Sequence, residues 1–420
     1  MKKALAAVLA AAMTLSMVPA IPAAAGEQVS FTIFNSKNEL QEVLEDITAE
    51  YGKEHNVNIE VYYSSDTVAA HLSTRYASGA PYTLNMTDAK DIYILGKEYG
   101  YDLSNEDWVS DTNYAISVDD KVLGFPFCIE ARGILFNADA IEAATGEAFD
   151  PASIVTLDDF DAFCQKLVDA GMETPTSILK PDWSLAAHFL QQVYEEREDV
   201  QGFIDSLYDG TANLMEDEKF NALIDTFDVL RKYNTFASAP ITAEDELVHM
   251  YMSEGDVAFQ FGGCWEWNDL IDYDYSGNVG MMPVPQNVTD LATGCLVGGG
   301  SKFFYVDNSE YTTDAQRQAA CDFLNWLVSS DEGKFFISDT CGCVSPFESN
   351  DVPCTNDLGA YVKQYVDQNK LIPNYDYDPD DHYAVLGAVM QKYLNGGITR
   401  EELAGEIESY WKNATPVQHG

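Results

Sequence analysis

Three tryptophans stand at joints of the chain. Trp183 follows Lys180-Pro181-Asp182 just ahead of a helical pattern, and Trp265 and Trp267 follow Gly262-Gly263-Cys264 at the end of an apolar run. Tyr375, Tyr377, His382 and Tyr383 gather among Asp376, Asp378, Asp380 and Asp381 before another helical pattern. An aromatic ring at such a joint either plugs a core or offers a flat face to a ligand. Joints at strand ends are where ligands bind in α/β proteins, so these rings are candidates for binding chemistry.

Arrangements that break bonds are missing. The sequence holds no G-x-S-x-G elbow, no H-E-x-x-H helix and no Cys–His constellation. Among 69 Asp and Glu residues some pair always mimics a glycosidase acid and nucleophile, so spacing alone carries no weight there. Gly298-Gly299-Gly300-Ser301-Lys302 fails the spacing of a phosphate loop and reads as a bendable connection. Asp272–Gly277 matches half of a calcium loop, but Pro283 stands where a bidentate Glu is required, which leaves an Asp-rich turn. Eight cysteines (128, 164, 264, 295, 321, 341, 343 and 354) include Cys341-Gly-Cys343. That spacing is not the C-x₂₋₄-C of zinc sites, and no histidines are paired nearby. Structural thiols, or one or two surface disulfides, are expected, with no metal and no cofactor.

The elements that must position these residues follow from periodicity. Val29–Phe34 and Val57–Tyr63 read as strands around a helical stretch, Glu39–His55, with Leu40, Val43, Leu44, Ile47 and Tyr51 on one face. This β-α-β opening predicts a parallel sheet. Helices are predicted at 68–76, 90–98, 157–170 (capped by Thr156 with Asp159), 186–195, 218–233, 245–253, 313–329, 356–369, 381–394 and 399–412. Lys121–Asn137 is extended, Asp256–Phe261 is a short strand ending at Gly262-Gly263, and Lys302–Val306 is a strand. No Pro- or Ser-rich linker occurs, so two lobes are expected to join through short crossings near residues 127–130, 295–300 and 343–347.

Composition sets the outer limits. The chain has 420 residues, 46% of them hydrophobic and 22% charged, enough for two sizeable cores. Acids outnumber Lys and Arg by 69 to 23, for a net charge of −46. Such a field repels phosphate backbones and anionic lipid, which speaks against nucleic acid as a partner. Lys2-Lys3, the short Ala/Leu-rich run to Val18 and Ala23-Ala24-Ala25 read as a secretory signal cut after Ala25, with no lipid-anchor cysteine at the cut. The product is expected to be periplasmic or extracellular, soluble or tethered by an uncleaved signal.

An ordered set of short motifs carries a family resemblance. Leu123-Gly124-Phe125-Pro126 runs into Glu130-Ala131-Arg132-Gly133-Ile134-Leu135-Phe136-Asn137. It is followed by Thr156-Leu157-Asp158-Asp159-Phe160, Gly255-Asp256-Val257-Ala258-Phe259, Gly262-Gly263-Cys264-Trp265 and Met281-Met282-Pro283-Val284-Pro285. In order and spacing this resembles the maltose-binding-protein-like extracellular solute-binding proteins of ABC transporters, over about Val29 to Trp411. At Ser78–Asn85 the chain departs from the family's usual Pro-Asp-aromatic pattern.

The resemblance implies an α/β, two-lobed periplasmic-binding-protein fold of type II-like form. Each lobe is then a mixed, mainly parallel sheet with flanking helices, hinged by crossover segments. The N-terminal lobe is expected from 26–128 plus 296–344, and the C-terminal lobe from 129–295 plus 345–420. The resemblance also implies the ligand set: Glu130 and Arg132 on the first crossing, and Trp183, Trp265 and Trp267 in the C-terminal lobe. Asn35, Lys37, Asp88 and Asp91 would line the N-terminal lobe, with His382 or Tyr383 as the last aromatic position. A sugar suits such a set, because its C–H faces lie on aromatic rings and its hydroxyl rim needs paired polar partners. The expected function is capture of a neutral mono- or oligosaccharide by a monomer that closes on it and delivers it to ABC permease subunits. Another small solute (a polyol or polyamine), a secreted glycoside hydrolase and a surface adhesin are the alternatives.

Overall fold

A computed structural model describes residues 28–64, 66–275, 277–289 and 292–417. The expected signal segment, residues 1–25, lies outside the described residues. The described strands are β1 (Val29–Asn35), β2 (Val57–Tyr63), β3 (Leu84–Thr87), β4 (Ile116–Val118), β5 (Lys121–Asn137), β6 (Thr176–Ser177), β7 (Phe259–Gly263), β8 (Val279–Met282), β9 (Leu296–Val306) and β10 (Leu371–Ile372). They join in the order β2-β1-β3-β9-β5-β7-β6, with β10 beside β9, and β4 and β8 beside β5.

The β-α-β opening is parallel, with Val29 opposite Val57 and Asn35 opposite Tyr63. Parallel pairing recurs between β1 and β3, β6 and β7, and β9 and β10, while β5 runs antiparallel to its neighbours and β9 antiparallel to β3 and β5. A mixed α/β sheet results. Helices follow the apolar periodicity: Gln41–His55 buries Leu44, Thr48, Tyr51 and Gly52. Leu157–Asp169 begins at the expected capping box, Thr156 and Asp159 satisfying each other's backbone N–H, an arrangement in which losing the cap costs about 0.5–2 kcal/mol.

Two large cores lie along the sheet. One gathers Phe31, Ile33, Leu84, Met86, Phe125, Phe127, Phe304 and Val306 with the helix residues Phe323, Leu324 and Leu327. The other gathers Ile134, Phe136, Phe160, Phe189, Phe227, Phe259, Leu403 and Trp411. β5 supplies both. Its 17 residues span roughly 56 Å at about 3.3 Å per residue, too long for a single core. The middle of the strand, Ile129 and Ala131, packs in a smaller cluster with Val344 and Leu358.

The glycine triplet 298–300 lies inside β9, opposite Ala131, Glu130 and Ile129, rather than in a connection before it. Close packing explains why: a Cβ on Gly298 would come within 2.3 Å of the Glu130 carbonyl oxygen. Gly262 and Gly263 likewise end inside β7, paired with Gly133 and Arg132. Several short strands escaped the sequence reading, β3 above all. Its four residues are buried on both faces, so no alternation marks them. Among the described residues no disulfide joins the eight cysteines.

Candidate functional site

β1 ends at Asn35, and the turn that follows delivers Lys37. Asn35 makes that turn: its side chain accepts from Lys37 N at 2.9 Å and donates to Lys37 O at 2.7 Å. The side chain of Asn35 is wholly buried in this work and holds Lys37 instead of facing a solute. Lys37 Nζ then reaches Glu130 Oε1 on β5 at 2.8 Å and Glu39 at 2.9 Å. Burial opposes ionisation of Glu130, yet Lys37 and Ser301 together hold its carboxyl below the usual range.

β3 delivers the second polar pair. Asp88 sits at the helix start after β3 and pairs with Lys302 of β9. Its carboxylate is 41% exposed. Asp91 closes a capping box with Asp88 and is fully buried. Burial, reinforced by Asp88, pushes the Asp91 carboxyl up to about 7.

Arg132 forms the third group. Its Nε donates to the His188 carbonyl at 3.0 Å and its Nη1 to Asn374 Oδ1 at 2.9 Å, while Nη2 pairs with Glu195. Glu195 in turn accepts from Tyr375 N at 3.0 Å. Arg132 thus ties β5 to the π-helical turn Trp183–Leu190 and to the 374–383 segment. Its cation is spent on Glu195, and its planar fork sets the positions of its neighbours.

The aromatic part centres on His188, which the sequence reading did not single out. Its ring lies 4.4 Å from Trp265 and 5.3 Å from Trp183, centroid to centroid. Burial and Arg132 push its pKa well down, so the imidazole is neutral. Arg132 joins this turn to β5, whose Glu130 holds Lys37 and whose neighbour β9 carries Lys302, so the rings and the polar pairs are linked through the same two strands. His188 Nδ1 and Trp265 Nε1 are buried without a hydrogen-bond partner. The Trp265 ring lies over Gly263, where a Cβ would meet it at 2.2 Å. A glycine at 263 is therefore what lets an indole lie flat on the strand end.

Two of the expected ligand residues are placed elsewhere. Trp267 packs edge-on against Tyr275 at 5.3 Å and belongs to the Met252–Leu270 cluster. One residue after Trp265's short helix, the helical turn points it the other way. His382 is 2% exposed between Tyr194, Tyr410 and Trp411. Burial pushes its pKa down to about 3, making it a neutral core histidine. Tyr383 beside it instead meets Lys90, whose Nζ lies 5.7 Å from the ring centroid. Tyr93 and Tyr377 stack across the same gap at 4.7 Å. Asp376 lies in this gap too; burial, then Glu195 and Asp88, push its carboxyl up to about 7.

The rings Trp183, His188 and Trp265 and the polar pairs Lys37–Glu130 and Asp88–Lys302, linked through β5 and β9, are the candidate walls of a cleft. A separate depression of about 340 Å³, lined by Asp228, Arg231, Asn234 and Leu394 among others, shares no residue with it. The cleft is the stronger candidate, because convergent rings and hydrogen-bonding groups fit a solute better than an open hollow does. Among the described residues no three His, Cys, Asp or Glu side chains are grouped to hold a metal ion. No helix among them is long and apolar enough to cross a membrane.

A family model described as bacterial extracellular solute-binding protein matches residues 46–349. No curated protein sequence matches. Solved structures share the fold at low identity. RafE in complex with raffinose aligns at TM-score 0.76 and 19% identity, covering 91% of this chain and 99% of that one. A Bacillus licheniformis sugar transporter protein in complex with stachyose aligns at TM-score 0.68 and 18% identity, covering 91% and 99%. A manno-oligosaccharide-specific solute-binding protein from Bifidobacterium animalis subsp. lactis, in complex with mannotriose, aligns at 0.65 and 15%, covering 92% and 94%. The architecture is that of these two-lobed proteins.

Proposed function

The chain belongs to the bacterial extracellular solute-binding proteins, and from that premise we propose that it captures a neutral oligosaccharide and hands it to an ABC permease. One observation carries the reading. Trp183, His188 and Trp265 form a contiguous aromatic wall, and Arg132 of β5 ties it to the strand whose Glu130 holds Lys37. A pyranose presents apolar faces to such rings and hydroxyls to such pairs. The raffinose, stachyose and mannotriose complexes of the similar folds support the same class.

The mechanism is closure. Glu130 and Asp88 are held ionised by Lys37 and Lys302, so they can accept hydrogen bonds from hydroxyls without losing their own partners. The unpartnered His188 Nδ1 and Trp265 Nε1 are the groups a sugar oxygen would satisfy. Lys90–Tyr383 and Tyr93–Tyr377 close the mouth behind the solute. A ligand touching both halves stabilises the closed form by its differential affinity for it, and the permease reads that state. The solute leaves unaltered, and the protein works as a monomer outside the cytoplasmic membrane.

A thermal-shift screen of the exported protein over neutral sugars tests this, since a ligand that binds only the folded form raises Tm. A shift with oligosaccharides and none with amines is the expected result. One finding favours a second reading. Around the cleft Glu39, Asp88, Glu130 and Glu195 balance Lys37, Lys90, Arg132 and Lys302, and the carboxyls of Asp91 and Asp376, pushed up to about 7, would ionise against an entering polyamine. A shift with polyamines alone would replace the sugar reading with that one.

A further inference from the structure

At the edge of the sheet two tyrosines stand open. Tyr62 is 41% and Tyr63 40% exposed, at the C-terminal end of edge strand β2. They point to opposite faces of the strand. Tyr62 lies 5.3 Å from Tyr82, which is itself stacked on Phe34 at 5.5 Å and capped by the Arg75 guanidinium at 4.5 Å. Tyr82 is only 4% exposed, so a buried aromatic floor holds the Tyr62 ring from below. The Tyr62 hydroxyl donates to Glu60, which fixes the ring's outer edge. Tyr63 is the register partner of Asn35, the residue whose side chain holds Lys37 in the cleft. The rings therefore stand at the same end of the sheet as the cleft, beside its N-terminal half.

The geometry points to Tyr62 and Tyr63 as an outer subsite on which the distal rings of an oligosaccharide rest, its inner rings lying between Trp265 and Glu130. This rests on the carbohydrate reading of the cleft and adds a length to it. Five strand spacings separate β2 from β7 in the sheet order, which at about 4.8 Å each is roughly 24 Å. No single sugar covers that distance; a chain of several rings does. The exposed Tyr62 ring, backed by the Tyr82 floor, costs little to order when a sugar face lands on it, and Tyr63 offers a second ring at the same strand end. Both stand at the end of β1 and β2 where Asn35 holds Lys37, so the occupant is the outer end of the same ligand.

Calorimetric titration of the exported protein with neutral gluco-, manno-, xylo- and galacto-configured series from one ring to six tests the subsite. In the series that binds, affinity should climb to at least four rings. Tyr62→Ala with Tyr63→Ala should lose that gain, at least tenfold on the longest members, while one- and two-ring members change less than twofold. Tyr62→Phe with Tyr63→Phe keeps the flat faces and should keep the affinity. If the alanine variant binds long members as tightly as the parent, or affinity does not depend on length, the subsite is refuted while the cleft reading stands. If no member of any series binds, the cleft reading falls and the subsite with it.

Discussion

Lys37 Nζ and Glu130 Oε1 meet at 2.8 Å where the turn after β1 touches the long strand β5, with the two side chains 8% and 11% exposed. A pair this buried contributes less through its own attraction than through the cost of breaking it, because the survivor is left charged and unpaired. Lys37→Ala, which strands the buried Glu130 carboxylate, should therefore lower unfolding stability by about 3–5 kcal/mol, and Glu130→Ala by less, because Lys37 keeps Glu39 at 2.9 Å. Replacing both residues with apolar ones of similar volume should recover most of that loss. Guanidinium denaturation of the three variants checks it, and a loss below about 1 kcal/mol in Lys37→Ala would mean water already reaches the pair.

Two carboxyls make stability depend on pH in opposite senses. Glu130's folded pKa lies below its unfolded value, so its contribution is present above the ordinary carboxylate range and disappears as pH falls through the lower, folded value. Asp91 is held up to about 7 by burial. The folded chain keeps a proton there that the unfolded chain releases near pH 4. Stability from that proton is complete below the unfolded pKa and is lost as pH rises to about 7. Asp91→Asn should accordingly raise Tm more at about pH 8 than at about pH 5. An equal shift at both would show that the carboxyl ionises normally.

Binding and stability should separate among the aromatic residues. Trp265→Ala, Trp183→Ala and His188→Ala remove faces of the cleft wall, and each should weaken oligosaccharide binding by about 2 kcal/mol, roughly thirtyfold in Kd. Trp267→Ala instead opens a gap beside Tyr275. It should cost about 3–5 kcal/mol of stability and leave Kd nearly unchanged. Titration calorimetry and chemical denaturation on the same four proteins decide the assignment.

Gly263→Ala puts a methyl group where the Trp265 ring now lies, 2.2 Å away. The indole has to lift, so binding should fall about as far as in Trp265→Ala, with a shifted tryptophan emission. The cost in stability should stay within the roughly 1–3 kcal/mol of an overpacked site. Unchanged emission and affinity would show that the ring does not rest on the strand end.

No disulfide joins the eight cysteines among the described residues, and several thiols, Cys164 among them, are pushed up by burial. Denatured protein kept under inert gas should titrate eight thiols, and the folded protein fewer. Fewer than eight after denaturation would reveal disulfides.

Local pattern was strong enough to show most of the helices and the long strand. Apolar spacing marks Gln41–His55, and Thr156 with Asp159 marks a helix start, because capping and amphipathicity are satisfied within a few residues. Short buried strands such as β3 carry no alternation, and the glycines of β7 and β9 read as breaks although each lies within a ladder. Their purpose is tertiary: Gly298 makes room for β5, and Gly263 for the Trp265 ring.

The site shows the same division. The sequence by itself determined which residue types were available and that Trp183, Trp265 and Lys37 fall at element ends, since propensity and turn chemistry act over short range. It could not distinguish Trp265 from Trp267, two residues apart in one motif, nor His188 from any other histidine in a helix. Only the tertiary structure turned the first tryptophan onto His188 and the second into a core. The direction a side chain takes depends on which distant strand or helix fills the space beside it, and that space is set by residues far away in the chain.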